Sequence, residues 1–188
     1  MTIPAELGPG LPGWAVVGPA RRAHIERVAR LAQQWGSLMG VPRAELDRWL
    51  KAAWLHDALR GADESVLTEW ADAAGSIALL HGPAAAGRAK ALGETDRGVL
   101  DAVRYHSVGL AEWEMVGQVL YCADFLEPGR TVAAERRAEL AAKFPADPAA
   151  VMREVTRWRL GSVIESGWTI PEPTYRLWNQ LVAAASPA

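Results

Sequence analysis

The chain contains four histidines, His24, His56, His81 and His106, and their spacing aims them at a shared interior. His24 lies on one helical face with Val28, Leu31 and Trp35, at offsets of 4, 7 and 11. His56 and Asp57 extend the face of Leu46, Trp49, Leu50 and Ala53. His106 follows Val99 and Val103 on an apolar stripe, and Asp124 follows Trp113, Val116 and Leu120. His81 stands four residues after Ile77, where Gly82-Pro83 predicts a helix end. Burying a carboxylate costs several kcal/mol unless a cation or hydrogen bonds compensate it. Imidazole nitrogen and carboxylate oxygen are natural ligands for iron, manganese or zinc, so one metal centre would serve all six side chains.

Taken singly, each residue has a plainer account. A histidine on an apolar face is ordinarily a core residue bonded to a backbone carbonyl. Asp57 alone would pair with Arg60 one turn later, and Asp124 alone would cap a helix end. The metal reading draws its weight from the common inward placement of every histidine together with two aspartates. His56 and Asp57 add a further constraint. Adjacent helical positions differ by about 100°, so the pair reaches two sides of one centre, and a carboxylate can bridge two ions.

The elements that would position these residues are all helical. Apolar residues recur at helical spacing from Ala20 to Trp35, ending near Gly36 to Gly40. Pro42 marks the next start, with a helix to about Arg60 and Gly61 as its stop. Further helices are predicted over 63–74, 83–92, 95–107, 112–126 and 131–143. Asp147-Pro148 reads as an N-cap with proline at the first helical position, opening a helix to about Ser166. A last helix is predicted from Pro173, so the C-terminal helices occupy 148–185. No run alternates β-branched residues and none repeats. The fold class is all-α.

Residues 1–19 hold four Pro and four Gly and read as an extended arm ahead of one domain over 20–188. Half the residues are apolar and 22% are charged, a globular composition. Twenty basic residues against 22 acidic ones give a net charge of −2, which argues against a partner that is a nucleic-acid polymer. Seventeen of the basic residues are Arg, the side chain suited to bidentate phosphate contacts. A lone Cys122 forms no internal disulfide, no stretch approaches membrane-spanning length, and the N-terminus lacks a signal-peptide pattern. The expected location is the cytoplasm. Trp35, Trp49 and Trp54 fall on or beside core stripes and are expected to pack rather than stack on bases.

The set His24, His56-Asp57 and Asp124 resembles the HD superfamily of metal-dependent enzymes, whose fold is a single-domain helical bundle. More narrowly, the chain resembles the YqeK family, bacterial symmetrical dinucleoside tetraphosphatases. The resemblance rests on RRAHIERVA (21–29), WLHDALR (54–60), LLHGPAAA (79–86), RYHSVG (104–109) and YCADFLEPGR (121–130). These span the metal-ligand segments over 21–130. The chain departs from the family pattern at Pro171-Glu172, where His-Pro is usual, at Ser107, where Thr is usual, and at Gln118, often basic. None of these is a ligand position.

The resemblance implies two divalent metal ions, with iron expected and manganese or zinc as alternatives. One would be held by His24, His56, Asp57 and Asp124, the other by His81 and His106, with Asp57 bridging. His81 and His106 carry the narrower assignment, because mononuclear HD proteins can do without them. The implied reaction is hydrolysis of diadenosine tetraphosphate to two ADP. Two metals about 3.5–4 Å apart polarise a phosphoryl oxygen and activate a water for in-line attack. Charge growing on the phosphate calls for cationic donors, for which Arg21, Arg60, Arg104 and Arg130 are the candidates. With Asp57, Arg60 and Arg130 are favoured for the catalytic step. Glu127 is expected either to orient a ligand or to pair with Arg130 and hold its loop. The rivals are an HD phosphohydrolase of nucleoside mono- or triphosphates, a mixed-valent di-iron oxygenase, and a non-catalytic sensor of metal or nucleotide.

Overall fold

Helix α1, Pro19–Met39, opens on a proline, whose fixed φ suits a first turn. It closes at Gly40, whose positive φ of 63° lets the backbone N–H of Gly40 and of Val41 return to the carbonyls of Ser37 and Gly36. The computed structural model describes residues 8–72 and 76–185. Among these residues the remaining elements are α2 (Arg43–Leu55), α3 (Glu64–Trp70), α4 (Ile77–Ala91), α5 (Arg97–Tyr105), α6 (Met115–Leu126), α7 (Ala134–Lys143), α8 (Pro148–Glu165) and α9 (Glu172–Ala185), with no strand among them. None of the described helices is long and apolar enough to cross a membrane.

Helix α6 is the axis of the bundle. Val116, Val119, Leu120, Tyr121, Cys122 and Ala123 are all buried, so it is covered on every side. Helices α1, α2, α5, α7 and α8 pack around it, and the core joins Ile25, Val28, Leu50, Val99, Val103 and Met152. Trp35, Trp49 and Trp54 are core residues as expected. Trp35 stacks on Phe144 with ring centroids 4.0 Å apart, and its indole N–H donates to the Ala141 carbonyl at 2.9 Å.

Several helix boundaries differ from the sequence expectation, α3 ending at Trp70 rather than 74 among them, and two of the differences shape the site. Helix α2 ends at Leu55, not near Arg60, and residues 56–61 form tight turns. There Ala58 N–H bonds Leu55 O and Arg60 N–H bonds Asp57 O. The N-terminal arm takes over from the helical ladder: Val16 N–H bonds the Ala58 carbonyl at 2.7 Å, and Gly61 N–H bonds Val16 O at 2.9 Å. A Cβ on Gly61 would lie 2.8 Å from that Val16 oxygen, so the glycine serves the arm's close approach. Helix α4 begins at Ile77 rather than Pro83, which places His81 inside it. Gly82 is no stop signal. It lets α4 and α5 meet so closely that a Cβ would lie 2.9 Å from Val103 O and 3.0 Å from Arg104 O. That packing offsets the one backbone bond that Pro83 removes.

The arm is packed where it is described, with Leu11, Trp14 and Val17 partly buried against the core. Residues 1–7 of the arm and 73–74 of the third predicted helix lie outside the described residues.

Candidate metal centre

Five segments bring six side chains together: His24 from α1, His56 and Asp57 from the turn after α2, His81 from α4, His106 from the C-cap of α5, and Asp124 from α6. All six are buried, none more than 8% exposed. The tight turn after α2 matters here, because it swings Asp57 between the other helices rather than along α2.

Each imidazole has one ring nitrogen on a fixed acceptor. The Nδ1 atoms of His56, His81 and His106 lie 2.7, 3.0 and 2.8 Å from the carbonyls of Ala53, Ala78 and Val103. His24 Nδ1 lies 3.1 Å from Glu127 Oε1. For His24, His56 and His106 an acceptor partner holds the proton on Nδ1 and leaves the Nε2 lone pair pointing inward. His81 Nδ1 also meets a donor, Arg60 Nη1, at 3.1 Å. Nε2 of His24 and of His56 are buried without an aligned hydrogen bond. Nε2 of His81 faces Nε2 of His106 at 3.1 Å, and the Ser107 hydroxyl lies 3.1 Å from the latter. Buried ring nitrogens that converge in this way fit a cation.

Asp57 stands between the two pairs. Its Oδ1 lies 3.1 Å from His81 Nε2 and 3.7 Å from His106 Nε2. Its Oδ2 lies 3.4 Å from His56 Nε2, 3.7 Å from His24 Nε2 and 2.7 Å from Arg21 Nη1. Two groups that could hold a metal therefore share this carboxylate: His24, His56 and Asp57, and Asp57, His81 and His106, with the donor atoms of each group within 4.8 Å of one another. Asp124 adjoins the first group, its Oδ1 3.1 Å from His24 Nε2.

The electrostatics suit metal ligands. Burial pushes the Asp57 carboxyl upward, but His56, His106 and His81 outweigh it and hold the group well below the usual carboxylate range. Burial likewise raises Asp124, and His24 and Arg159 overcome it, leaving it well below its ordinary value. His81 is lowered, mainly by burial against the opposing pull of Asp57, which keeps its ring neutral as ligation requires.

Of the arginines singled out in the sequence, three reach the site. Arg21 bonds Asp57, and Arg130 Nη2 bonds Asp124 Oδ1 at 2.9 Å and its backbone carbonyl at 3.0 Å. Arg60 Nη1 donates to the Ala78 carbonyl at 2.9 Å and lies 3.1 Å from His81 Nδ1, rather than pairing with Asp57. Arg104 is directed elsewhere, donating to the Asp72 carbonyl at 3.1 Å beyond the end of α3.

Glu127 has contacts of both expected kinds. It meets His24, and it holds its own loop by accepting the Gly129 N–H at 2.6 Å, with Arg130 Nε 3.6 Å away; it also accepts Arg27 Nε. Arg27 was not foreseen, although it lies one turn from His24 in the same segment. Arg159 was not foreseen either. It comes from α8, far along the chain, and bonds Asp124 Oδ2 at 2.9 Å.

Residues 21–137 match the HD domain family. A solved structure from Clostridium acetobutylicum, described as a predicted HD superfamily hydrolase involved in NAD metabolism, superposes with a TM-score of 0.77. It shares 22% sequence identity over 89% of this chain and 92% of that one, a likeness of fold. No curated protein sequence matches.

Proposed function

The chain belongs to the HD-domain family, and from that premise we propose that it hydrolyses a nucleotide phosphoanhydride at a dinuclear metal centre. His24, His56, Asp57 and Asp124 would hold one ion, and Asp57, His81 and His106 the other. The observation that carries this reading is the division of the Asp57 carboxylate between two pairs of inward Nε2 atoms. The metal is read as iron, and the substrate as diadenosine tetraphosphate cut symmetrically into two ADP, on the resemblance of the five motif segments.

Two bound divalent ions would supply Lewis acidity to a phosphoryl oxygen and lower the pKa of a water between them. The chain does the positioning. The carbonyls of Ala53 and Val103, together with Glu127, keep the proton of His56, His106 and His24 on Nδ1 and the lone pair on Nε2, while the Ala78 carbonyl orients His81. Asp57 spans the two halves as an ionised carboxylate. Arg21 and Arg130 have side chains 35% and 39% exposed, so their guanidinia lie between the buried ligands and solvent. From there they can turn to phosphate oxygens and offset the charge that grows during attack. Arg60 is the remaining donor, with Nη1 directly beside His81 Nδ1 at 3.1 Å.

The test is product analysis. Protein prepared anaerobically with ferrous iron is given diadenosine tetraphosphate, and the nucleotides are separated by chromatography. Two ADP and nothing else supports the proposal. ATP plus AMP keeps a metal hydrolase but overturns the symmetrical cut. No turnover, with two metals per chain confirmed, overturns the substrate assignment.

A further inference from the structure

We infer that Arg159 is a positioning residue of the centre, contributed by a helix beyond the family-matched stretch, and that it aims Asp124 at the first ion. The inference rests on the metal reading above. Residues 21–137 contain all six candidate ligands, yet Asp124 and Ser107 are both tied to α8. Arg159 Nη2 donates to Asp124 Oδ2 at 2.9 Å and to the Tyr121 carbonyl at 3.1 Å. Its Nη1 reaches the Ser107 carbonyl at 3.4 Å.

Asp124 divides its two oxygens. Oδ2 is bound by Arg159, and Oδ1 is the atom 3.1 Å from His24 Nε2. A carboxylate turns readily about its terminal torsion unless an oxygen is fixed. Binding the far oxygen therefore aims the near one. Arg130 cannot do this, because it bonds Oδ1, the oxygen that faces His24. Arg130 competes for the ligating atom and is the more exposed of the two, at 39% against 17%. Arg159 is also held in place: its guanidinium lies over the rings of Tyr121 and Phe125, 4.4 and 5.0 Å from their centroids. Ser107, whose carbonyl it meets, places its own hydroxyl 3.1 Å from His106 Nε2.

The experiment is calorimetric titration of metal-stripped protein with Mn(II), using wild type, R159M, D124A and the double variant. Wild type should take up two equivalents. R159M should weaken one of them by about 10–100-fold, the usual effect of removing a group that orients a ligand. The same substitution should have no further effect in the D124A background, which a merely structural loss would not reproduce. Wild-type binding by R159M, or an equal penalty with and without Asp124, overturns the inference while leaving the metal reading intact. A wild-type protein that binds no Mn(II) overturns both. Circular dichroism checks folding. If R159M does not fold, R159K carries the test: its single head group should leave binding about tenfold weaker, and wild-type affinity would overturn the inference.

Discussion

The Nε2 atoms of His81 and His106 lie 3.1 Å apart, and both rings direct Nδ1 at a backbone carbonyl. The Ser107 hydroxyl adjoins both nitrogens, 3.1 Å from His106 Nε2 and 3.4 Å from His81 Nε2. Asp57 Oδ1 is the third potential ligand atom within reach. These three converging atoms make up the second group that could hold a metal.

His106→Ala should remove that half alone. The first group, His24, His56 and Asp57 with Asp124 beside it, keeps every donor. Metal analysis after anaerobic reconstitution should find about one ion per chain in place of two. Two ions with full activity in the variant would exclude His106 as a ligand of the second ion.

Glu127→Gln should weaken the first half without touching the second. The substitution keeps the shape but removes the charge that His24 Nδ1 and Arg27 share. A drop of about tenfold or more in affinity for one of two metal equivalents is expected. Unchanged affinity for both would mean that the Glu127 carboxylate holds the loop and no more.

Stripping the metal should lower the melting temperature. Without a cation, Asp57 and Asp124 remain buried beside rings whose lone pairs face them. At a free metal concentration a hundredfold above Kd the loss is about 2.7 kcal/mol for each ion. For a chain of this size that corresponds to roughly 5–10 °C. An unchanged midpoint in differential scanning calorimetry would contradict a buried cluster.

Asp96 offers a check on how the site is held. It caps α5, the helix that ends at His106, by accepting the Val99 N–H at 3.1 Å, and it takes Arg48 Nε and Nη2 at 2.7 and 3.0 Å. The Arg48 bonds, against a smaller upward push from burial, lower its pKa. Its stabilisation is therefore complete above the unfolded carboxyl pKa of about 3.9 and is lost as pH falls through the lower folded value. Asp96→Asn should cost about 1–2 kcal/mol near neutral pH. That difference should hold down to about pH 5 and shrink below about pH 4 in urea titrations. A gap that persists undiminished at pH 3 would assign the loss to packing instead.

Much of this centre was legible in the sequence because a helix reports its buried face every three or four residues. His24, His106 and Asp124 lie on their apolar stripes and are buried as those stripes predict. Gly61 and Gly82-Pro83 misled in opposite directions. Both glycines read as helix punctuation, yet both exist to admit another backbone, that of Val16 in one case and of α5 in the other. Close approach of distant segments leaves no periodic trace. Arg159 was hidden for the same reason, since only the packing of α8 against α6 brings it to Asp124. Arg27 was within reach of the sequence, one turn from His24, but its partner Glu127 lies 100 residues away.

The most direct test of the shared centre is the metal content of Asp57→Ala beside wild type, each reconstituted anaerobically with ferrous iron and checked for folding. Asp57 is common to both candidate groups, so two ions per chain in wild type should fall to none, with activity lost together with them. Two ions retained by the variant would contradict a carboxylate bridge, and a single ion in wild type would contradict the dinuclear centre itself.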